Sequence, residues 1–316
     1  MIITRRSLMG GTLALAASGC IPPDQSPIGR LAAQLRLIEA AELGSAGGTL
    51  GVQILEPETG IALGINQDQR FGHASSFKFS LAAMLLARHA AGAINADKRV
   101  MWTEREMVEH APFTRTRMES GATLRELAEA TQKTSDNPAA NILMRALGGP
   151  AALTAFWRSL GDAVSRVDRY EPEMNIVPPS EFRDTTTPAA MARTVATIIY
   201  GDALPEAGRA QLKQWMIGTE TGLKRVRAGL PDDWVAGDKT GTSGLVGDAG
   251  TYIDIGFVEP SKARPALTFA AYYRARQGED DMQLRAERVL MRVGRVIREF
   301  VERDRAIPIP NMFRQI

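Results

Sequence analysis

Ser75 and Lys78 stand three residues apart in the segment Ser75-Ser76-Phe77-Lys78. On a helix that spacing puts both side chains on one face, a turn apart, where an amine could take the proton of a hydroxyl nucleophile. A lysine in a dry helix must be paired or neutral, and burial draws its pKa down towards that of a usable base. The pair arises about once by chance in a chain of this length. Taken alone, it better describes a capping serine followed by a lysine reaching to solvent. Two further triplets are rarer. Ser135-Asp136-Asn137 reads locally as a turn in which Asn137 caps the helix opened by Pro138, with the Ser135 hydroxyl left for other work. Lys239-Thr240-Gly241-Thr242 reads locally as a strand that ends in polar residues.

The elements that must position these residues follow from periodicity. Ser26-Pro27 supplies a cap and a first-turn proline for a helix whose apolar face is Ile28, Leu31, Leu35 and Ile38. Leu50, Val52 and Ile54 alternate as in a strand, and Ile61 to Ile65 returns beside it as a hairpin. From Ser75 to about Ala91 the pattern is helical and apolar on nearly every side, which predicts a helix buried at a domain centre. Thr123-x-x-Glu126 is a capping box, and Pro138 and Thr187-Pro188 open further helices. Strands return over 234–242, 251–258 and 266–273. The last helix carries Met282, Val289, Val293, Ile297 and Phe300 on one side. Strands at both ends and helices between them predict an α/β fold of the α+β type. An antiparallel sheet built from both ends of the chain would carry an inserted helical lobe.

S-x-x-K, S-D-N and K-T-G in this order form a recognised signature, and the sequence resembles the class A serine β-lactamases over essentially the whole mature chain. Arg169-Tyr170-Glu171-Pro172-Glu173-Met174-Asn175, continuing to Arg183-Asp184-Thr185-Thr186-Thr187-Pro188, resembles the omega loop of that family. The resemblance implies a β-lactamase/D,D-peptidase-like fold with a five-stranded antiparallel sheet. It also implies hydrolysis of penicillins and cephalosporins through an acyl-enzyme on Ser75, with β-lactam resistance as the result. Lys78 or Glu171 would activate Ser75, Ser135 would protonate the departing nitrogen, and Glu171 with Asn175 would hold the deacylating water. Backbone N–H groups of Ser75 and Thr242 would form the oxyanion hole, and Arg169 with Asp184 would close the loop as an ion pair. Asn137 would bond the acylamide side chain, while Lys239, Thr240, Gly241 and Thr242 would bind the substrate carboxylate. Arg225 joins them because relatives carry an arginine there, or further along where this chain has Asp248; otherwise it is one arginine of a basic loop with Lys224 and Arg227. His110 resembles the ring-bearing residue at the cleft mouth and is equally well explained as a surface histidine. Met174 stands where relatives usually carry leucine. Ala74 and Ser243 stand where some carbapenem-hydrolysing relatives pair cysteines.

The resemblance and the pattern divide the chain into α/β segments 27–71 and 219–316 and a helical lobe 72–218 that contains the omega loop 169–184. Residues 1–20 read as a signal peptide: Arg5-Arg6 precedes a short apolar run and a small-residue site. The paired arginines point to twin-arginine export, with a plain secretory signal as the alternative. Cys20 is the one cysteine, so no internal disulfide can form. It stands where a lipoprotein signal places its lipidated residue, yet Ala17 replaces the usual leucine, which leaves a lipid anchor open. Residues 21–26 read as a linker. The expectation is an exported, periplasmic monomer without a permanent membrane span, since the apolar run is shorter than the ~20 residues a span needs.

At 316 residues, 44% hydrophobic, 23% charged and with a net charge of +2, the chain reads as an ordinary globular protein without a basic stripe, a balance that gives no support for nucleic-acid binding. No cofactor or metal is expected. A metallo-hydrolase needs clustered ligands, and His73, His89 and His110 lack zinc spacing. A penicillin-binding D,D-peptidase would lack the Glu171 and Asn175 pair. A β-lactam sensor should bring a transmembrane segment or a further domain, and neither is visible.

Overall fold

A computed structural model describes residues 25–43, 48–178, 180–261, 264–277 and 281–303. The signal-peptide reading, the Cys20 anchor and most of the 21–26 linker lie outside the described residues. Helix α1 (Pro27–Leu43) starts as its residues dictate, with Ser26 Oγ accepting from Gly29 N at 3.0 Å. Strands β1 (Gly48–Leu55) and β2 (Ala62–Ile65) form the expected hairpin, and the short strand β3 (Phe71–Gly72) leads into helix α2 (Phe77–Ala90). Two more short strands, β4 (Arg99–Val100) and β5 (Ala122–Thr123), pair with each other. Helices α3 (Leu124–Lys133), α4 (Asn137–Ala146) and α5 (Pro150–Ser159) follow. Strand β6 (Thr185–Thr186) returns to pair with β3. Helices α6 (Pro188–Ile199) and α7 (Glu206–Ile217) precede β7 (Val235–Thr242), β8 (Ala249–Glu259) and β9 (Leu267–Arg276), and α8 (Met282–Glu302) closes the described chain.

The main sheet has the order β2-β1-β9-β8-β7, antiparallel throughout, so the N-terminal hairpin pairs with the C-terminal strands. Alternation along β9 divides the core between the two faces of the sheet. Phe269, Ala271 and Tyr273 pack with Leu31, Leu35 and Ile38 of α1 and Val289, Val293, Ile297 and Phe300 of α8. Ala270 and Tyr272 face the other way, into a second core shared with the helices between β3 and β7. At the centre of that core lies α2, buried along every residue from Phe77 to Leu86.

Four elements have boundaries that differ from the sequence reading. Helix α2 begins at Phe77, because Ala74 takes a left-handed φ of 38° and a separate 3-10 turn covers Ala74–Ser76. The residue capping α4 is Asp136, not Asn137: the Asp136 carboxylate accepts from Ala139 N at 2.8 Å. The Asn137 side chain is thereby released from the helix end. Strands β8 and β9 extend beyond the predicted runs, because their pairing continues through Arg274↔Thr251 and Arg276↔Ala249 after the apolar alternation has stopped.

Candidate active site

Ser75 sits in the turn between β3 and α2, held by Ser76 Oγ, which donates to His73 O at 2.8 Å. Strand β7 presses against this turn. A Cβ on Gly241 would lie 3.0 Å from His73 O and 3.1 Å from Ser75 N, so glycine is what allows the strand this close. One turn further along, Lys78 is fully buried and places Nζ 2.9 Å from Ser75 Oγ. Its other partners are Ser135 O at 2.8 Å, Ser135 Oγ at 3.4 Å, Asn137 Oδ1, and Glu171 Oε1 at 3.2 Å. Burial lowers the Lys78 pKa, while the Glu171 carboxylate pulls it back up.

Glu171 is likewise buried. Its Oε1 accepts from Ser75 Oγ at 3.3 Å, and its Oε2 accepts from Asn175 Nδ2 at 2.6 Å. Asn175 Oδ1 has no hydrogen-bond partner among the described residues. The loop that carries both residues is closed by Arg169 Nε on Asp184 Oδ2 at 2.6 Å, and Asp184 also accepts from the backbone N–H groups of Asp168 and Arg169. Met174 is fully buried beneath it.

Between α3 and α4, Ser135 takes a φ of 62°, and its Oγ accepts from Lys239 Nζ at 3.0 Å as well as from Lys78. Lys239 is completely buried on β7 and donates also to Thr240 O at 2.8 Å. Its pKa is lowered well below that of an ordinary lysine, first by burial and then by the charge of Lys78. Thr240 Oγ1 meets Thr221 Oγ1 at 2.5 Å. The Arg225 guanidinium is buried behind the strand end, where it donates to Gly241 O at 2.9 Å, Ile253 O at 2.6 Å and Thr242 Oγ1 at 2.6 Å. Thr242 itself is exposed at the end of β7.

The structure thus gathers Ser75, Lys78, Ser135, Asn137, Glu171, Asn175 and Lys239 into one connected network. Gly241 touches it through Ser75, and Arg225 reaches it only through Thr242 and the strand backbone. His110 stands at the rim: its ring is exposed, with Nε2 donating to Thr134 O at 2.8 Å, and its carbonyl accepts from Asn137 N at 3.0 Å. Strain collects here too. Ala74, His110, Ser135 and Asp184 are four of the five described non-glycine residues at positive φ, a conformation that costs about 1–3 kcal/mol each and is kept where surrounding structure enforces it.

Two supporting residues escaped the sequence reading. Asn141 fixes the backbone of Glu171 from both sides, donating to its carbonyl at 2.8 Å and accepting from its N–H at 3.0 Å. Asp136 accepts from Phe113 N and Thr114 N, both at 2.9 Å, and so ties the turn of Ser135 and Asn137 to the preceding loop. The signal for Asn141 was faint: an amide four residues beyond Asn137, on what becomes the buried face of α4.

A serine hydroxyl flanked by a buried lysine and a carboxylate, beside a strand edge with a second buried lysine, is the arrangement of a serine hydrolase of the acyl-transfer type. A family model described as the beta-lactamase enzyme family matches residues 30–301. The chain is 47% identical over 195 residues to Beta-lactamase FAR-1 of Nocardia farcinica, a match that spans 62% of each chain. It is 40% identical over 304 residues to Beta-lactamase L2 of Stenotrophomonas maltophilia, covering 94% of this chain and 98% of the relative. The solved structure of an ancestral class A β-lactamase superposes with a TM-score of 0.79 at 44% identity, over 85% of this chain and 99% of that one. The chain belongs to the class A β-lactamase family. Among the described residues no helix is long and apolar enough to cross a membrane, and no group of metal-ligating side chains occurs.

Proposed function

We propose that the protein hydrolyses the β-lactam amide of penicillins and cephalosporins through an ester on Ser75, with β-lactam resistance as the biological result. The observation that carries this reading is the position of Glu171, whose two oxygens face Ser75 Oγ on one side and Asn175 on the other.

Ser75 Oγ attacks the lactam carbonyl carbon and gives up its proton as the new C–O bond forms. Two bases lie within reach of that proton, Lys78 Nζ at 2.9 Å and Glu171 Oε1 at 3.3 Å, the latter also through a water. Backbone N–H groups of Ser75 and Thr242 take the oxyanion. Gly241 supports this pairing by letting the strand approach Ser75 N; losing one such donor costs about 10²–10³ in rate. Ser135 Oγ accepts from both lysines, so its own proton is free to pass to the departing ring nitrogen. Water then attacks the ester with Glu171 as base, and the free Asn175 Oδ1 is the acceptor that orients it.

Lys239, Thr240 and Thr242 bind the substrate carboxylate, and Arg225 orients Thr242 from behind. Asn137 bonds the acylamide, and His110 borders the cleft mouth. We read the sheet with α1 and α8 as the α/β lobe, and the core around α2 as the helical lobe. We also read the chain as exported to the periplasm, as a monomer, with Cys20 either removed with the signal or lipidated.

The test is a time course of intact-protein mass and penicillin concentration after mixing the mature chain with excess benzylpenicillin. Many ring openings per protein with at most a transient adduct are expected. A lasting one-to-one adduct without further penicillin loss would instead identify a penicillin-binding protein or sensor.

A further inference from the structure

Thr49, Arg274 and Thr251 lie in register across β1, β9 and β8. Residues paired across antiparallel strands share a face, and Tyr272, two residues before Arg274, packs in the core around α2. The row therefore faces the helices, on the side of the sheet that carries the active site. Over it opens a cavity of about 490 Å³, lined also by Ala74, Asn175 and Ser243. Those three belong to the rim of the catalytic network: Ala74 precedes Ser75, Ser243 follows Thr242, and Asn175 holds Glu171.

The charges in this cavity are not balanced. Arg274 is half-buried, with its guanidinium 5.3 Å from the centre of the Phe71 ring and 3.4 Å from Arg70 O. Burial lowers its pKa with no carboxylate to offset the cost. Arg276 lines the same wall, and Asp248 is the one acid among the lining residues, without an ion pair to either arginine among the described residues. A half-buried guanidinium without a counter-ion presents a fork of donors suited to an oxyanion. The volume also exceeds by far what a carboxylate needs.

We propose that this cavity is a second anion subsite of the active site, taking a carboxylate or sulfonate carried on the acylamino side chain of the substrate. The inference rests on the reading of Ser75 as the nucleophile that opens a β-lactam. Asn137 is linked to Asn175 through Lys78 and Glu171, and Asn175 and Ser243 line the cavity, so an acyl side chain held at Asn137 would have this cavity on the Asn175 side of the network. Small Ala74 and Ser243 keep the cavity's entrance open.

The experiment compares benzylpenicillin with its α-carboxylated counterpart, which shares the ring and phenyl group and adds one carboxylate. Specificity constants, kcat/KM, are measured for both substrates with the full mature protein, Arg274→Gln, Arg274→Lys and Arg276→Gln. Losing a charge-assisted hydrogen bond should shift the ratio of the two constants in Arg274→Gln by roughly ten-fold or more against the carboxylated substrate. Arg274→Lys should recover part of the ratio, and exposed Arg276→Gln should shift it in the same direction by less. Should Arg274→Gln fail to fold, the Lys and Arg276 variants carry the same test. An equal loss on both substrates would make Arg274 a structural residue and overturn the proposal, as would an unmoved ratio. Adding sodium sulfate should narrow the wild-type ratio if the subsite takes the substrate's anion. Sulfate that slows both substrates alike would mark a site for free inorganic anions and overturn the assignment to substrate. Failure of the wild type to turn over either penicillin would refute the hydrolase reading itself, an outcome distinct from loss of the subsite alone.

Discussion

Replacing Asp136 by alanine should destabilise the protein more than any change to the side chains that touch substrate. The carboxylate is fully buried and accepts from three backbone N–H groups: Ala139 at 2.8 Å, and Phe113 and Thr114 at 2.9 Å each. Losing the cap of α4 costs about 1 kcal/mol. The N–H groups of Phe113 and Thr114 are left without an acceptor, at about 1–3 kcal/mol each. The buried Thr114 hydroxyl, which also donates to Asp136, loses its acceptor too, a further cost left out of the sum. The sum is about 3–7 kcal/mol, a large share of the ~5–15 kcal/mol of a typical native state. With a urea slope of roughly 3 kcal/mol per molar, the unfolding midpoint should fall by about 1–2 M. Asp136→Asn keeps one acceptor oxygen but turns an N–H₂ towards the other donors, so its midpoint should lie between the two. Urea unfolding followed by circular dichroism reads all three proteins. A fall below about 0.3 M for Asp136→Ala, equivalent to ~1 kcal/mol, would refute the claim that this carboxylate organises the turn of Ser135 and Asn137.

Other predictions concern the omega loop and the buried acids. Glu171→Gln should lower kcat for benzylpenicillin by roughly 10²–10⁴ while an ester on Ser75 accumulates, seen by intact mass; full turnover would remove Glu171 from the mechanism. Arg169→Ala leaves buried Asp184 without its cation, a loss of about 3–5 kcal/mol for such pairs; on the proposed mechanism, in which the loop carries the deacylation residues, it should reduce kcat more than kcat/KM. Equal effects on both constants would contradict that division. Asp254 is held well above the usual carboxylate range by burial and by neighbouring Asp238, although Arg225 acts against the shift. Its folded-state pKa is raised, so its contribution to stability is full below about pH 4 and is lost as pH rises through the folded value. Asp254→Asn, which keeps an oxygen for Val226 N, should therefore gain stability relative to wild type as pH rises from about 4 towards neutrality. A difference that does not vary with pH would show that Asp254 is ionised throughout.

Periodicity located the elements well where one face meets a core. The alternation in β1 and the 3.6-residue stripe on α8 are statements about burial, and burial is what the sheet and its two cores enforce. It was blind where backbone conformation departs from the common regions. Nothing in the residue types of Ala74 or Ser135 announces a φ of 38° or 62°. The same applies to the cap of α4. Asp and Asn are equally good capping residues, so Ser135-Asp136-Asn137 could have been read in either register. The loop at Phe113 and Thr114 decides it, because it brings two more donors to the aspartate. Asn141 was illegible for a related reason: a buried amide on a helix has a meaning only once the loop it serves, thirty residues on, has been placed against it.

The two buried lysines show how similar residues acquire different work from their partners. Both lose the solvation of the ammonium form, and each makes the charge of the other more costly, with Ser135 Oγ bonded to both. Lys78 has a carboxylate at 3.2 Å, so the charge of its ammonium form is offset within the site before any substrate arrives. Among the described residues, Lys239 has no carboxylate in contact; it donates to a hydroxyl and to a carbonyl. On the proposed reading, the anion that fully offsets its burial arrives with the substrate, and that favours the charged form of Lys239 when the ring carboxylate is bound. Binding would then raise the Lys239 pKa. The added positive charge beside Ser135 would favour release of the hydroxyl proton to the departing nitrogen. The carboxylate that orients the substrate would thus also prepare the proton donor, which ties recognition of the ring to its opening through a single hydroxyl.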